Sequence, residues 1–155
     1  MKIGIIVHSK TGNTLQVAKK LKKNFIADGH LVNIEEIIAI NDDEREPSKV
    51  RLTKVPIINE YDFLIFGAPV RGFALSPVMA FFMTQSSILH NKKVSCFVTQ
   101  FFPFPWMGGK QAIEQMKSIC VSKKLDLIET AIVNWSSIRR NKKINEAVEK
   151  LRRTV

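Results

Sequence analysis

Ser9, Lys10, Thr11, Gly12, Asn13 and Thr14 form an unbroken run of hydroxyl, ammonium, amide and glycine groups. The run follows an apolar stretch, Ile3, Ile5, Ile6 and Val7, and precedes Leu15, Val17, Ala18 and Leu21 at helical spacing. Strand, tight polar loop and helix in that order gather backbone N–H groups at a helix N-terminus, where the macrodipole favours an anion. The hydroxyls of Ser9, Thr11 and Thr14 add donors, and Gly12 lets the backbone approach a ligand closely. The chemistry indicated is a phosphate cradle. The G-x-x-x-x-G-K-[ST] spacing of a nucleoside-triphosphate loop is missing, and so is the G-x-G-x-x-G turn of a dinucleotide site.

Ser-x-Thr-Gly-Asn-Thr resembles the FMN-phosphate loop of flavodoxins, and the resemblance continues through Ala18 and Leu21 of the following helix. Val7 departs from it, standing where flavodoxins usually carry an aromatic residue. The resemblance spans the whole chain, but only this first loop matches by letter. It implies FMN as cofactor, with the flavin doing the chemistry and no catalytic acid or base to assign. It also implies two further loops at the ring. One is Ala68, Pro69, Val70, Arg71, Gly72 and Phe73, running on to Pro77; the other is Thr99, Gln100 and Phe101, running through Trp106 to Gly108 and Gly109. Their mixture of aromatic, glycine, proline and hydroxyl residues suits a flat ring with a polar edge. Phe73 and one of Phe101, Phe102, Phe104 or Trp106 are the candidates to cover the ring, because Tyr61 falls at the wrong end of its strand. Flavodoxins turn a glycine peptide in the second loop toward flavin N5 as its redox state changes, a role that passes to the peptides flanking Gly72. A cation at Arg71 would favour the reduced, anionic flavin and raise its potential; the alternative is that it points into water. Lys10 either approaches the phosphate or is solvated. His8 reads as a satisfied, partly buried histidine, and His30 and His90 as loop residues.

The elements that must position these loops follow from hydrophobic period. A helix is expected over residues 14–27, ending at Gly29, and an edge strand over 31–37. Residues 41–46 read as a solvated acidic loop leading to a weak, irregular helix over 47–56. The near-continuous apolar runs 61–67 and 93–99 have the pattern of central parallel strands. A helix carrying Val78, Met79, Phe81 and Phe82 separates them, with both phenylalanines in the core. A helix through Ile113, Met116 and Ile119, a strand over 130–135 and a final helix over 142–153 complete the chain. This alternation is that of a single α/β domain over residues 1–155, a doubly wound five-stranded parallel sheet. With the resemblance, the expected architecture is flavodoxin-like, strand order 2-1-3-4-5.

At 155 residues and 45% apolar composition, the chain can bury a proper core. It has no apolar run near the roughly 18 residues of a membrane span, and its first residues read as a strand rather than a signal peptide, so a cytoplasmic protein is expected. Cys96 and Cys120 read as free thiols, with no metal or iron–sulfur spacing. The formal charge of +10 calls for an acidic or anionic partner. In the expected topology Lys19, Lys20, Lys22 and Lys23 share a face with Arg139, Arg140, Lys142, Lys143, Lys150, Arg152 and Arg153. That basic face would meet an acidic redox protein or an anionic membrane surface. Nucleic acid is disfavoured, since no stacking platform or recognition helix accompanies the charge. Strand 1 and its loop hold no carboxylate, which excludes a phospho-receiver domain. The leading expectation is an FMN protein carrying electrons between protein partners. The alternative is an NAD(P)H- or quinone-linked FMN oxidoreductase, possibly at a membrane surface, and a third is an interaction domain without flavin.

Overall fold

The computed structural model describes residues 1–86 and 91–155, so the expectation for His90 lies outside the described residues. The elements in chain order are β1 (Lys2–Val7), α1 (Asn13–Ala27), β2 (Leu31–Glu36), β3 (Ile38–Ala39), β4 (Leu52–Lys54), β5 (Phe63–Arg71), β6 (Ala74–Leu75), α2 (Pro77–Gln85), β7 (Lys93–Gln100), α3 (Gly109–Ser122), β8 (Asp126–Asn134) and α4 (Arg140–Arg152). The long strands lie parallel in the order β2-β1-β5-β7-β8, which is the expected 2-1-3-4-5 arrangement.

Period-two alternation assigns the two faces of the sheet. Ile3, Ile5 and Val7 of β1 and Phe63 and Ile65 of β5 point to one side, where Val17, Leu21 and Phe25 of α1 and Ile144, Val148 and Leu151 of α4 cover them. Leu64, Phe66 and Ala68 of β5 and Val94, Cys96 and Val98 of β7 point to the other, beneath Met79 and Phe82 of α2 and Met116 and Cys120 of α3. Phe82 is core as expected, and Phe81 is half-buried against the same cluster. Gly67 has a packing role: a Cβ there would stand 2.2 Å from the Phe97 ring. Cys96 and Cys120 are both free and buried. Tyr61 sits at the opposite end of the sheet from the expected site. Its hydroxyl donates to Glu35 Oε1 at 2.8 Å, and burial pushes its pKa up to about 12.

Three boundaries differ from the sequence expectation. Residues 47–56 form one turn of 3₁₀ helix, Pro47–Lys49, and then β4, which pairs antiparallel with β3. Val50 and, just beyond the stretch, Ile58 are the buried anchors, and Pro56 between them disfavours a continuous helix. β8 begins at Asp126, before the expected position 130, because it pairs with β7 from Lys93 onward while its first residues are half-exposed and lack an apolar strand pattern. The loop expected over 68–77 is largely a hairpin: β5 runs to Arg71 and returns as β6. Among the described residues, no helix is long and apolar enough to cross a membrane.

Candidate functional site

The site begins where β1 ends. Gly12 takes φ +93 at the N-cap of α1, a conformation in which an L side chain is strained, and open space surrounds its Cα. It offers no side-chain cap. Ser9 Oγ accepts from the Leu15 amide at 3.3 Å. Among the described residues, no protein acceptor meets the backbone N–H groups of residues 10–14. These amides, with the positive end of the α1 dipole, are a ready anion site. Thr14 is buried, and its hydroxyl shares a 2.8 Å hydrogen bond with that of Thr99, tying the first loop to the end of β7.

The second loop closes over the first as a two-residue hairpin turn. Gly72 has φ +57 and Phe73 φ +61, the pair of positive values that a type I′ turn demands. A phenylalanine in that region costs of order 1 kcal/mol. Leu75 N–H donates to Gln115 Oε1 at 2.7 Å, which pins the hairpin to α3. The third loop is held from within. Gln100 Nε2 donates to the carbonyls of Phe102 and Phe104, each at 2.6 Å, while its buried Oε1 has no partner among the described residues.

The three loops enclose a cavity of about 250 Å³. Its walls are Lys10, Thr11, Asn13, Thr14, Pro69, Val70, Arg71, Thr99, Gln100 and Phe101, every one of them expected from the sequence. Ser9, Gly12 and Ala68 stand just outside this lining. Gly72, Phe73 and Trp106 are not among its walls, and Phe73 and Trp106 are exposed. Gly108 and Gly109 are not among these walls, and both sit at close approaches: a Cβ at Gly108 would strike Val70 at 2.5 Å, and one at Gly109 would strike Gln100 at 2.2 Å. Gly108 thus lets the second and third loops approach each other, and Gly109 lets the start of α3 approach Gln100 and Ile132. A larger groove, about 840 Å³, runs between β8 and α4, away from the three loops, and Glu129 pairs with Lys150 across it.

The acidic stretch expected to be solvated instead reaches the cradle. Asp43 pairs with Lys10 and lies 3.4 Å from Arg71, and Arg71 Nη1 also donates to the Asp42 carbonyl at 2.5 Å. The Lys10 ammonium beside it holds the Asp43 carboxyl below the usual range. Arg71 is therefore not an unopposed cation at the cavity. Asp42 Oδ1 lies 2.6 Å from His8 Nε2, and Ser76 Oγ lies 2.5 Å from His8 Nδ1. A carboxylate only accepts, so Nε2–H donates to Asp42 and Nδ1 accepts from Ser76. Ser76 Oγ in turn caps α2 by accepting from Met79 N–H at 3.3 Å. His8 is the satisfied histidine expected, more deeply buried than its position at a strand end suggests. Burial lowers its pKa, and the Asp42 contact opposes that shift.

No protein-family model and no curated protein matches the sequence. Solved structures do. Oxidised flavodoxin 1 from Bacillus cereus superimposes with a TM-score of 0.69 over 96% of this chain and 93% of its own, at 17% identity. The chain has the flavodoxin fold. Two-electron reduced flavodoxin from Megasphaera elsdenii is similar, with a TM-score of 0.65, 22% identity and coverage of 96% and 98%. So is a flavoprotein from Lactobacillus acidophilus NCFM, solved in complex with FMN: TM-score 0.64, 15% identity, coverage 94% and 97%. In the flavodoxin fold, the reversal of strand order beside β1 opens a crevice at the strands' carboxyl ends, and the cavity lies in that crevice.

Proposed function

We propose that the protein binds FMN in the three-loop cavity and carries electrons between protein partners. The observation that supports this most is the set of unpartnered amides at residues 10–14, opening into a cavity walled by the Thr14–Thr99 hydroxyl pair. That donor set matches a phosphate monoester. A cavity of about 250 Å³ is below the range for a whole cofactor, so FMN would extend past it toward the hairpin and the aromatic loop. The bound flavin would supply reversible one- and two-electron chemistry. The protein's part is to hold it, shield it and set its potential. At the hairpin, rotating the Gly72–Phe73 peptide converts a type I′ turn to type II′. Gly72 keeps its positive φ and Phe73 returns to negative φ, so a hydrogen-bonding peptide at the ring can change direction cheaply.

The basic face supports the choice of partner. Contacts between α1 and α4, including Lys20 Nζ to Asn145 Oδ1 at 3.2 Å, join the two charge runs that the sequence separates. An acidic redox protein would be steered to such a surface. Flavodoxin neighbours and two unpaired thiols suit a cytoplasmic carrier. A second reading, an NAD(P)H- or quinone-linked oxidoreductase, is supported by a further cavity of about 430 Å³ against the same hairpin. It is lined by Arg45, Arg71, Gly72 and Gln115 among others.

Titration of the purified protein with FMN, followed by flavin fluorescence, tests the cofactor. The expected result is one-to-one quenching, with binding weakened about tenfold by Thr14→Ala, since that change removes a buried hydroxyl shared with Thr99. Absence of binding would discard both redox readings. With FMN bound, steady NAD(P)H oxidation on adding a quinone would favour the oxidoreductase over the carrier.

A further inference from the structure

The aromatics of the third loop stay largely exposed, Phe101 included although it borders the cavity. Phe101 is 68% exposed, Phe104 54% and Trp106 65%, and Phe73 of the hairpin is 55% exposed. Phe73 stacks on Phe102 with ring centroids 6.0 Å apart, Phe102 meets Phe101 at 5.8 Å, and Phe104 stacks on Trp106 at 5.9 Å. The loop after β8 joins them: Trp135 N–H donates to the Gln100 carbonyl and Ser136 N–H to that of Phe101, and this loop holds up Ile138, which is fully exposed. Six large apolar side chains thus crowd one end of the sheet. A flavin offers two faces and cannot cover them all, so the patch stands whether or not the cofactor reading is correct. Patches of this kind mark interaction surfaces.

The charge around the patch identifies what it meets. Arg139, Arg140, Lys142 and Lys143 begin α4 directly after Ile138, and none of them forms an ion pair among the described residues. The Arg140 guanidinium lies 5.0 Å from the centre of the Trp135 ring, at the edge of the patch. Farther along α4 the cations are spoken for: Lys150 pairs with Glu129, and Arg152 with Asp28 and Glu149. The acids at this end are engaged too, Asp42 by His8 and Asp43 by Lys10. What remains is an aromatic and aliphatic crown with a cationic border.

We propose that this end of the sheet, rather than the middle of the basic helical face, rests on an anionic membrane surface. Phe104, Trp106 and Ile138 enter the headgroup level, and the cations at the start of α4 meet lipid phosphates and carboxylates. Aromatic side chains favour that interface, and a bilayer needs no shaped groove to receive them. Each cation at the surface adds to the attraction within a Debye length. A second copy of this chain fits less well, because it would bring two such cationic borders together at a net charge of +10 per chain.

Co-sedimentation of the full chain with phosphatidylcholine vesicles, with and without phosphatidylglycerol, tests this. Binding is expected only with the anionic lipid, falling as salt rises, and accompanied by a blue shift of tryptophan emission. Trp106→Phe should remove the shift while retaining most of the binding, which assigns it to Trp106 rather than Trp135. Trp106→Ser and Phe104→Ser should each weaken partitioning about tenfold, and Arg139→Gln and Arg140→Gln about fivefold each. These side chains are exposed, so thermal melting should be unchanged. Equal binding to neutral vesicles, no binding at all, indifference to Trp106→Ser, or a dimer in solution that already shifts the emission would overturn the proposal.

Discussion

His8 is buried between β1, the acidic loop and the cap of α2, so its protonation affects three segments together. Its folded-state pKa is depressed below the ordinary 6.5, with burial the main cause. The unfolded chain then binds more protons than the folded one between that lowered value and pH 6.5. The stabilising contribution is whole above pH 6.5 and is lost as pH falls through the lowered pKa, at up to about 1.4 kcal/mol per pH unit. Urea unfolding from pH 7.5 downward should show this loss of stability, and His8→Gln should flatten the slope there. A second residue-scale prediction concerns packing. Gly67→Ala forces a methyl into the Phe97 ring, and overpacking of this kind costs about 1–3 kcal/mol. Equilibrium denaturation should show it as a lower midpoint with an unchanged slope.

At the scale of elements, the cradle and the acidic loop after β3 oppose each other. Asp43 places a carboxylate on Lys10 and near Arg71, two residues of the cavity wall, and thereby occupies positive charge that an incoming phosphate would use. Asp43→Asn should tighten FMN binding about two- to fivefold, the range of an exposed ion pair, and the gain should shrink in high salt. Isothermal titration at two ionic strengths reads both effects. The same loop moderates the expected influence of Arg71: with Asp43 beside it, the guanidinium would raise the potential of a bound flavin less than an isolated cation would.

At the scale of the molecule, the fold separates two surfaces. The face made by α1 and α4 carries Lys19, Lys20, Lys22, Lys23, Lys142, Lys143 and Lys150, while the carboxyl ends of the strands carry the cavity and the aromatic rim. Long-range steering belongs to the first and close contact to the second. Stopped-flow electron transfer to an acidic redox protein should accelerate as ionic strength falls. Lys19→Gln with Lys23→Gln should reduce that dependence and leave the rate at high salt nearly unchanged.

The polar run at residues 9–14, the two continuous apolar strands and the helical stripes were enough for an alternating α/β chain with a parallel sheet and a phosphate cradle after its first strand, because local spacing carries the period of each element. Strand order, the shared side of α1 and α4, and the two further loops came from the resemblance of the first loop to that of flavodoxins. Contacts between loops far apart in sequence are a different matter. Asp42 and Asp43 look like any hydrated acidic loop until β2 and β3 deliver them to His8 and Lys10. Gly108 gives no sign in the sequence of the close approach to Val70 and Phe73 that only a residue without a Cβ allows. The positive φ at Phe73 carries no sequence mark, because it is imposed by β5 and β6 closing a two-residue turn. The outward-facing aromatic crown likewise depended on where Gln100 anchors the third loop. Local chemistry set the elements and the cradle, and tertiary packing decided which charges are paired, which glycines are spacers and which apolar groups remain uncovered.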